Sequence, residues 1–303
     1  MNYWEVSLMD CQIKITDNKA VWKIQAALAL IFLLNPFLGV LSTLFFVFVS
    51  KEKSMAFYLV IILTLFMWCL QSTRSFHLGE PSDWAGNYYY NFHNAAITDT
   101  LTYLFFTTKE YAWQAFNLIG YYLFDGDFLS YANFIVALTY MFTFAAIYKF
   151  WNYIQADPRF LVASLCLFAF VTEVNGICNN LLRQQFAMSM MLYAIIERCT
   201  NGRILYPLLV ISFFTHTMTG FFIPFLFIRL GKKASFRFYI YIVLGFGLLY
   251  ILFTNLSIFS SSSFYAFQRL ATASNAYALK DIIQPSAVYP FLAVTVILYV
   301  KAV

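Results

Sequence analysis

The chain has 303 residues, 62% of them hydrophobic and 11% charged, with a formal net charge of +5. A soluble domain of ordinary composition carries roughly 25% charged residues, so these charges are too few to cover a water-facing surface, and lipid is the solvent the composition demands. The sequence has no glycine-rich phosphate loop, basic stripe or CxxC pair, which argues against nucleic-acid binding, zinc, haem and a disulfide framework.

The first 19 residues are polar and hold no apolar core of a signal peptide, so insertion is expected to rely on the internal helices. Apolar stretches then recur at 24–49, 55–72, 129–149, 160–176, 183–197, 204–229, 238–254 and 286–302. They run continuously rather than alternating, which favours helices over the short strands of a barrel. Asn35-Pro36 near the middle of the first stretch predicts one long kinked helix with the N-terminus outside. The loop at 73–128 is net acidic, whereas Lys51, Lys53, Lys149, Arg159, Arg198, Arg203 and the cluster Arg229, Lys232, Lys233 and Arg237 lie in short loops. The positive-inside rule places the short basic loops in the cytoplasm, with 73–128 and a second loop at 255–285 outside.

One stretch departs from this alternation. Residues 204–229 have basic flanks at both ends, which predicts a re-entrant or broken hairpin turning near Thr215 to Gly220. The alternative is one long crossing that violates the charge rule. The outer loop is crowded with rings, including Tyr88, Phe92, Tyr103, Trp113 and Tyr122. Amphipathic rings favour the headgroup level, so one or two interfacial helices are expected, with a sugar-binding platform as the alternative. The fold class is therefore an all-α polytopic membrane protein, a single transmembrane domain over 1–303 with about eight membrane segments.

Charged residues at membrane depth are costly and so are candidates for function. Arg183 opens an apolar segment after the polar run from Asn175. It could pair with a carboxylate such as Glu173, snorkel to the headgroups, or receive an anion, for which a guanidinium suits a lipid pyrophosphate. His216 stands at the expected turn among Thr215, Thr217 and Thr219; it either bonds the backbone or lines a cavity. Arg74, His77, Glu80 and Asp83 follow the second segment. A carboxylate there could take a proton from an attacking hydroxyl, or simply be solvated.

Taken in order, Arg74, then Gly79, Asp83 and Tyr88, then Arg183-Gln184 with Ala187, then Phe214-Thr215-His216 resemble the EpsG family, over roughly residues 55–230. That family is similar to Wzy-type repeat-unit polymerases of exopolysaccharide and O-antigen clusters. Two departures stand out: Gly79 and Asp83 are separated by Glu80-Pro81-Ser82, and Thr215 interrupts the Phe-His pair. Members of the family are also expected to continue beyond the position of Val303. The resemblance implies transfer of a glycan from undecaprenyl pyrophosphate onto the next lipid-linked unit, at the outer face of a bacterial inner membrane, facing the periplasm or cell exterior. It needs no metal or cofactor in principle, and a chain-length regulator is a possible partner. It assigns Asp83, or Glu80, as base. Arg74 and Arg183 bind pyrophosphate, Gln184 and His216 position phosphate or sugar, Tyr88 belongs to the substrate-binding set, and Arg269 is a further phosphate ligand. Competing readings are a flippase of lipid-linked glycans, a non-catalytic subunit of an export complex, and a transferase of another small group.

Overall fold

A computed structural model describes residues 18–50, 52–73, 84–105, 110–170 and 181–227. They fall in the first of two compact units, Met1–Arg229; the second, Leu230–Val303, holds none of them. Among the described residues there are ten α-helices and no strand: α1 (Asn18–Leu34), α2 (Pro36–Ser50), α3 (Lys53–Ser72), α4 (Tyr89–Ile97), α5 (Thr100–Phe105), α6 (Tyr111–Leu123), α7 (Phe128–Ile154), α8 (Pro158–Phe170), α9 (Leu182–Asn201) and α10 (Tyr206–Thr215). A π-helical turn, Trp84–Tyr88, precedes α4, and a 3-10 stretch, Thr217–Phe227, follows α10.

Two of these helices, α3 and α7, are long and apolar enough to cross a membrane. Large apolar side chains on other helices stay uncovered, among them Leu34 at 88% and Phe45 at 70% exposed. A soluble surface rarely carries such a patch, so these faces fit contact with lipid, and the architecture fits an α-helical membrane protein. The count of about eight crossings extends into residues outside those described.

The core is built on α7. Phe57 of α3 stacks near Tyr148, close to the far end of α7, so α3 and α7 run antiparallel. Phe168 of α8 meets Tyr140 and Phe144, so α8 returns along α7. The next helix, α9, then runs parallel to α7, since Phe142 lies near Phe186 and, further along both helices, Lys149 pairs with Glu197. The bundle therefore has two distinct ends. One gathers the end of α3, the start of α7 and the start of α9; the other gathers Lys53, Lys149, Arg159, Arg198 and Arg203 at the opposite helix termini.

The structure corrects the expectation of a single kinked helix over 24–49. The helix stops at Leu34 and another starts at Pro36, where Asn35 accepts from the Leu38 amide as a cap. The Tyr58 hydroxyl donates to the Gln25 carbonyl at 2.9 Å, so the middle of α1 lies beside the start of α3, which itself follows the end of α2. The chain has doubled back. Close approach requires glycine at residue 39, because a Cβ there would fall 2.4 Å from the Phe32 Cα.

The described part of 73–128, the loop expected to lie outside, does contain helices, but its rings mainly build a core. Trp84, Tyr88, Phe92, Tyr103 and Trp113 are all buried. They pack around Phe128 and Tyr131 at the start of α7, with Phe92 stacked 4.8 Å from Tyr131. A buried polar network stitches the layers together: the Tyr131 hydroxyl donates to the Asn117 Oδ1 at 2.9 Å and the Tyr103 hydroxyl to the Asn91 carbonyl at 2.6 Å. Burial pushes the Tyr103 phenol up to about 12, outweighing the lowering effect of Asn117. Ile119, Tyr122 and Leu123 of α6 remain exposed, an apolar edge suited to the headgroup level.

Candidate functional site

The segment 204–229 turns where the charge pattern places the turn. Helix α10 ends at Thr215, and His216 adopts extended backbone (φ −154°, ψ 112°). Ser212, near the end of α10, donates to the Ala187 carbonyl at 2.8 Å, one turn beyond Arg183 on α9. The 3-10 stretch then returns, since the Leu226 carbonyl accepts from Arg198 Nε at 3.0 Å, at the other end of α9. Both arms thus lie along α9 and the tip lies at its start. Ser212, Thr215 and Thr219 are fully buried, and each hydroxyl donates to a backbone carbonyl. These local bonds satisfy polar groups at a break in the helix.

At that tip three ionisable side chains from three elements meet. Glu110, the residue before α6, bonds His216 Nδ1 through Oε1 at 2.8 Å and forms an ion pair with the Arg183 guanidinium through Oε2. Their side chains are 14% (Glu110), 23% (Arg183) and 15% (His216) exposed, so the cluster is largely withdrawn from water. Packing brings them together: α6 lies against α10, with Tyr111 5.8 Å from Phe214, while Phe116 of α6 contacts Phe186 of α9 at 5.2 Å. Arg183 Nε is buried and has no hydrogen-bond partner among the described residues. A guanidinium carries five donors, so the pairing with Glu110 leaves capacity for an anion.

An ionised carboxylate only accepts hydrogen bonds, so beside it His216 donates from Nδ1, and in the neutral ring Nε2 is then an acceptor. The arrangement can hold an anionic group at Arg183 and take a proton at His216 Nε2, with Glu110 fixing both. Arg183 therefore takes Glu110 as its carboxylate; Glu173 lies outside the described residues. Gln184 is half-buried beside Arg183 in the first turn of α9. Tyr88 is 4% exposed and packs edge-on to Trp113, a position in the aromatic core. Asp83, Glu80, Arg74 and Arg269 lie outside the described residues. Among the described residues no group of three or more His, Cys, Asp or Glu side chains could hold a metal ion.

Glu110 is the member that sequence reasoning missed. It is 106 positions from His216 and sits in a loop among other charges. The signal that was present is its position: a carboxylate directly ahead of the apolar run Tyr111–Leu123.

An apolar helical bundle with a withdrawn Arg–Glu–His cluster at the tip of a broken hairpin fits an α-helical membrane protein with an ionic cluster at one end. The chain belongs to the EpsG family, whose model matches residues 57–302 and so extends well past the 55–230 stretch carrying the motifs. Membership supports a function related to polysaccharides. No curated protein and no solved structure matches the chain.

Proposed function

We propose that the protein is a membrane glycosyltransferase that polymerises oligosaccharide repeat units carried on undecaprenyl pyrophosphate, at the extracytoplasmic face of a bacterial inner membrane. The observation that carries this reading is the meeting of Arg183, Glu110 and His216 beside a broken helix. Its orientation follows from charge: the other end of the bundle holds Lys53, Lys149, Arg159, Arg198 and Arg203, which the positive-inside rule assigns to the cytoplasm.

The chemistry has two requirements. The acceptor sugar hydroxyl must lose its proton as its oxygen bonds to the anomeric carbon of the donor. The bond from that carbon to the pyrophosphate oxygen must break, its electron pair leaving with the lipid pyrophosphate. His216 Nε2 takes the proton, and Glu110 stabilises the resulting imidazolium as a fixed neighbouring anion. Arg183 stabilises the charge that develops on the leaving pyrophosphate, with Gln184 beside it. Arg74 and Arg269 would add cations, and Asp83 or Glu80 is the alternative base.

The test is polymerisation by purified protein in lipid, given the cognate undecaprenyl-pyrophosphate repeat unit. A ladder of lengthening glycans is expected, and its formation by the protein alone would show that no chain-length regulator is required for the chemistry. A unit that binds and crosses the bilayer without forming a glycosidic bond would replace this reading with a flippase.

A further inference from the structure

The end of the bundle remote from Glu110 contains a cavity of about 580 Å³. Arg183 and Glu197 stand 14 positions apart on α9, so this end lies roughly 21 Å from the cluster by helical rise. One wall is a stripe of α7, Ala145, Tyr148, Lys149 and Asn152, residues that share a helical face, with Gln155 just past its end. The facing wall is the last part of α9, with Tyr193, Thr200 and Asn201, and Phe57 of α3 closes one side.

The lining is chemically divided. Among the described residues that line it, Lys149 is the cation and none is a carboxylate. Glu197 lies behind Lys149: it is 5% exposed, pairs with the ammonium and accepts from Asn201 Nδ2 at 2.9 Å. The ammonium also sits 5.3 Å from the centre of the Tyr193 ring. Because an ammonium has three donors, the bond to Glu197 leaves donors for the cavity. The Asn152 side chain, one turn along the same face, lines the same space and is exposed. Phe57 and the neighbouring Ala145 and Tyr148 make one edge of the cavity apolar, and Phe57 is 52% exposed, which fits contact with lipid.

We infer that this cavity binds the headgroup of an anionic phospholipid. The phosphodiester accepts from Lys149 and Asn152, while the glycerol and the first part of an acyl chain run along Phe57 and Ala145. A zwitterionic choline lipid is disfavoured, because Glu197 is already bonded to Lys149 and Asn201 and is sealed from the cavity. The inference is independent of the polymerase reading, since it uses none of the residues at the Arg183 end.

The experiment is native mass spectrometry of the intact protein released from detergent, presented with phosphatidylglycerol, phosphatidylcholine or glycerol 3-phosphate. Both lipids carry the phosphodiester, but choline adds a cation that the Lys149 ammonium repels and no carboxylate among the described lining residues offsets, so phosphatidylglycerol should be retained over phosphatidylcholine by at least about tenfold. The paired change Lys149→Gln with Glu197→Gln should abolish that preference without leaving a buried charge alone. Ala145→Phe, which fills the cavity and leaves the Lys149–Glu197 pair in place, should reduce retention of phosphatidylglycerol by a similar factor. Equal retention of the two lipids, or undiminished phosphatidylglycerol on both variants, would overturn the assignment. Displacement of the lipid by an equal concentration of glycerol 3-phosphate would overturn it in favour of a soluble phosphate ester.

Discussion

Helix α9 carries an ion pair at each end, and the two are built differently. Near its end Glu197 pairs through Oε2 with Lys149 of the parallel helix α7, and Asn201 on the same helix donates to Oε1. Near its start Arg183 meets a carboxylate from before α6, which also holds a histidine at the tip of a broken hairpin. The first pair joins two continuous helices. The second depends on three elements separated widely in sequence and leaves Arg183 Nε without a partner among the described residues. One arrangement ties two helices together beside a cavity, and the other has the groups that the proposed transfer needs, a cation for an anion and an imidazole for a proton. Similar charges, placed in different frames, serve different ends.

The largest effect expected from this contrast is on stability. Lys149→Ala leaves Glu197 buried and unpaired and should cost about 3 kcal/mol or more, seen as a lowered thermal midpoint in detergent. Adding Glu197→Gln should restore much of the loss, and a Lys149→Ala protein that melts like the parent would erase the structural role of this pair. At the other end the loss should fall on turnover. Arg183→Ala should reduce polymer formation by about 100-fold, the scale of removing a preorganised charge stabiliser. Retention of most of the activity would mean that the pyrophosphate is held elsewhere.

Two smaller changes probe how α6 and the start of α7 hold Glu110. A Cβ at Gly120 would fall 2.3 Å from the Tyr131 ring, so Gly120→Ala should cost about 1–3 kcal/mol and loosen α6 from α7. If it leaves both the melting curve and the activity unchanged, α6 is not what positions Glu110. The smallest effect concerns Asp127, which caps α7 through the Leu129 amide. Asp127→Ala should cost about 1 kcal/mol by equilibrium unfolding. Its hydrogen bond from the Ser130 hydroxyl holds the carboxyl below its ordinary range, with the backbone bonds adding to this. A depressed folded-state value means the contribution is present at neutral pH and is lost as pH falls through that lowered value. The variant and the parent should therefore converge in stability under acid conditions.

The parts of this molecule that were legible in sequence are those in which polarity interrupts an apolar run. Arg183 and His216 stand out because lipid-facing segments rarely carry such groups, and the hairpin because basic residues flank both its ends. Glu110 was hidden because a carboxylate in a polar loop has no local signature, and its partners come from chain folding rather than spacing. Asn35-Pro36 reads equally as a kink or a reversal, and the contact between Phe32 and the bare face of Gly39 decides between them. The aromatic loop misled for a related reason. Ring content indicates affinity for an interface, but it does not distinguish rings lying on the membrane from rings packed on one another, as Trp84, Phe92 and Trp113 are.

The central claim is that Arg183, Glu110 and His216 act as one unit. The most direct measurement is the rate of glycan lengthening for Glu110→Gln, His216→Ala and the two combined, in purified protein whose melting curves are matched. If Glu110 works by orienting His216, the double variant should be no slower than the slower single variant, because the second change removes nothing further. Losses that multiply in the double variant, or single variants that lengthen glycans at the parent rate, would contradict the account.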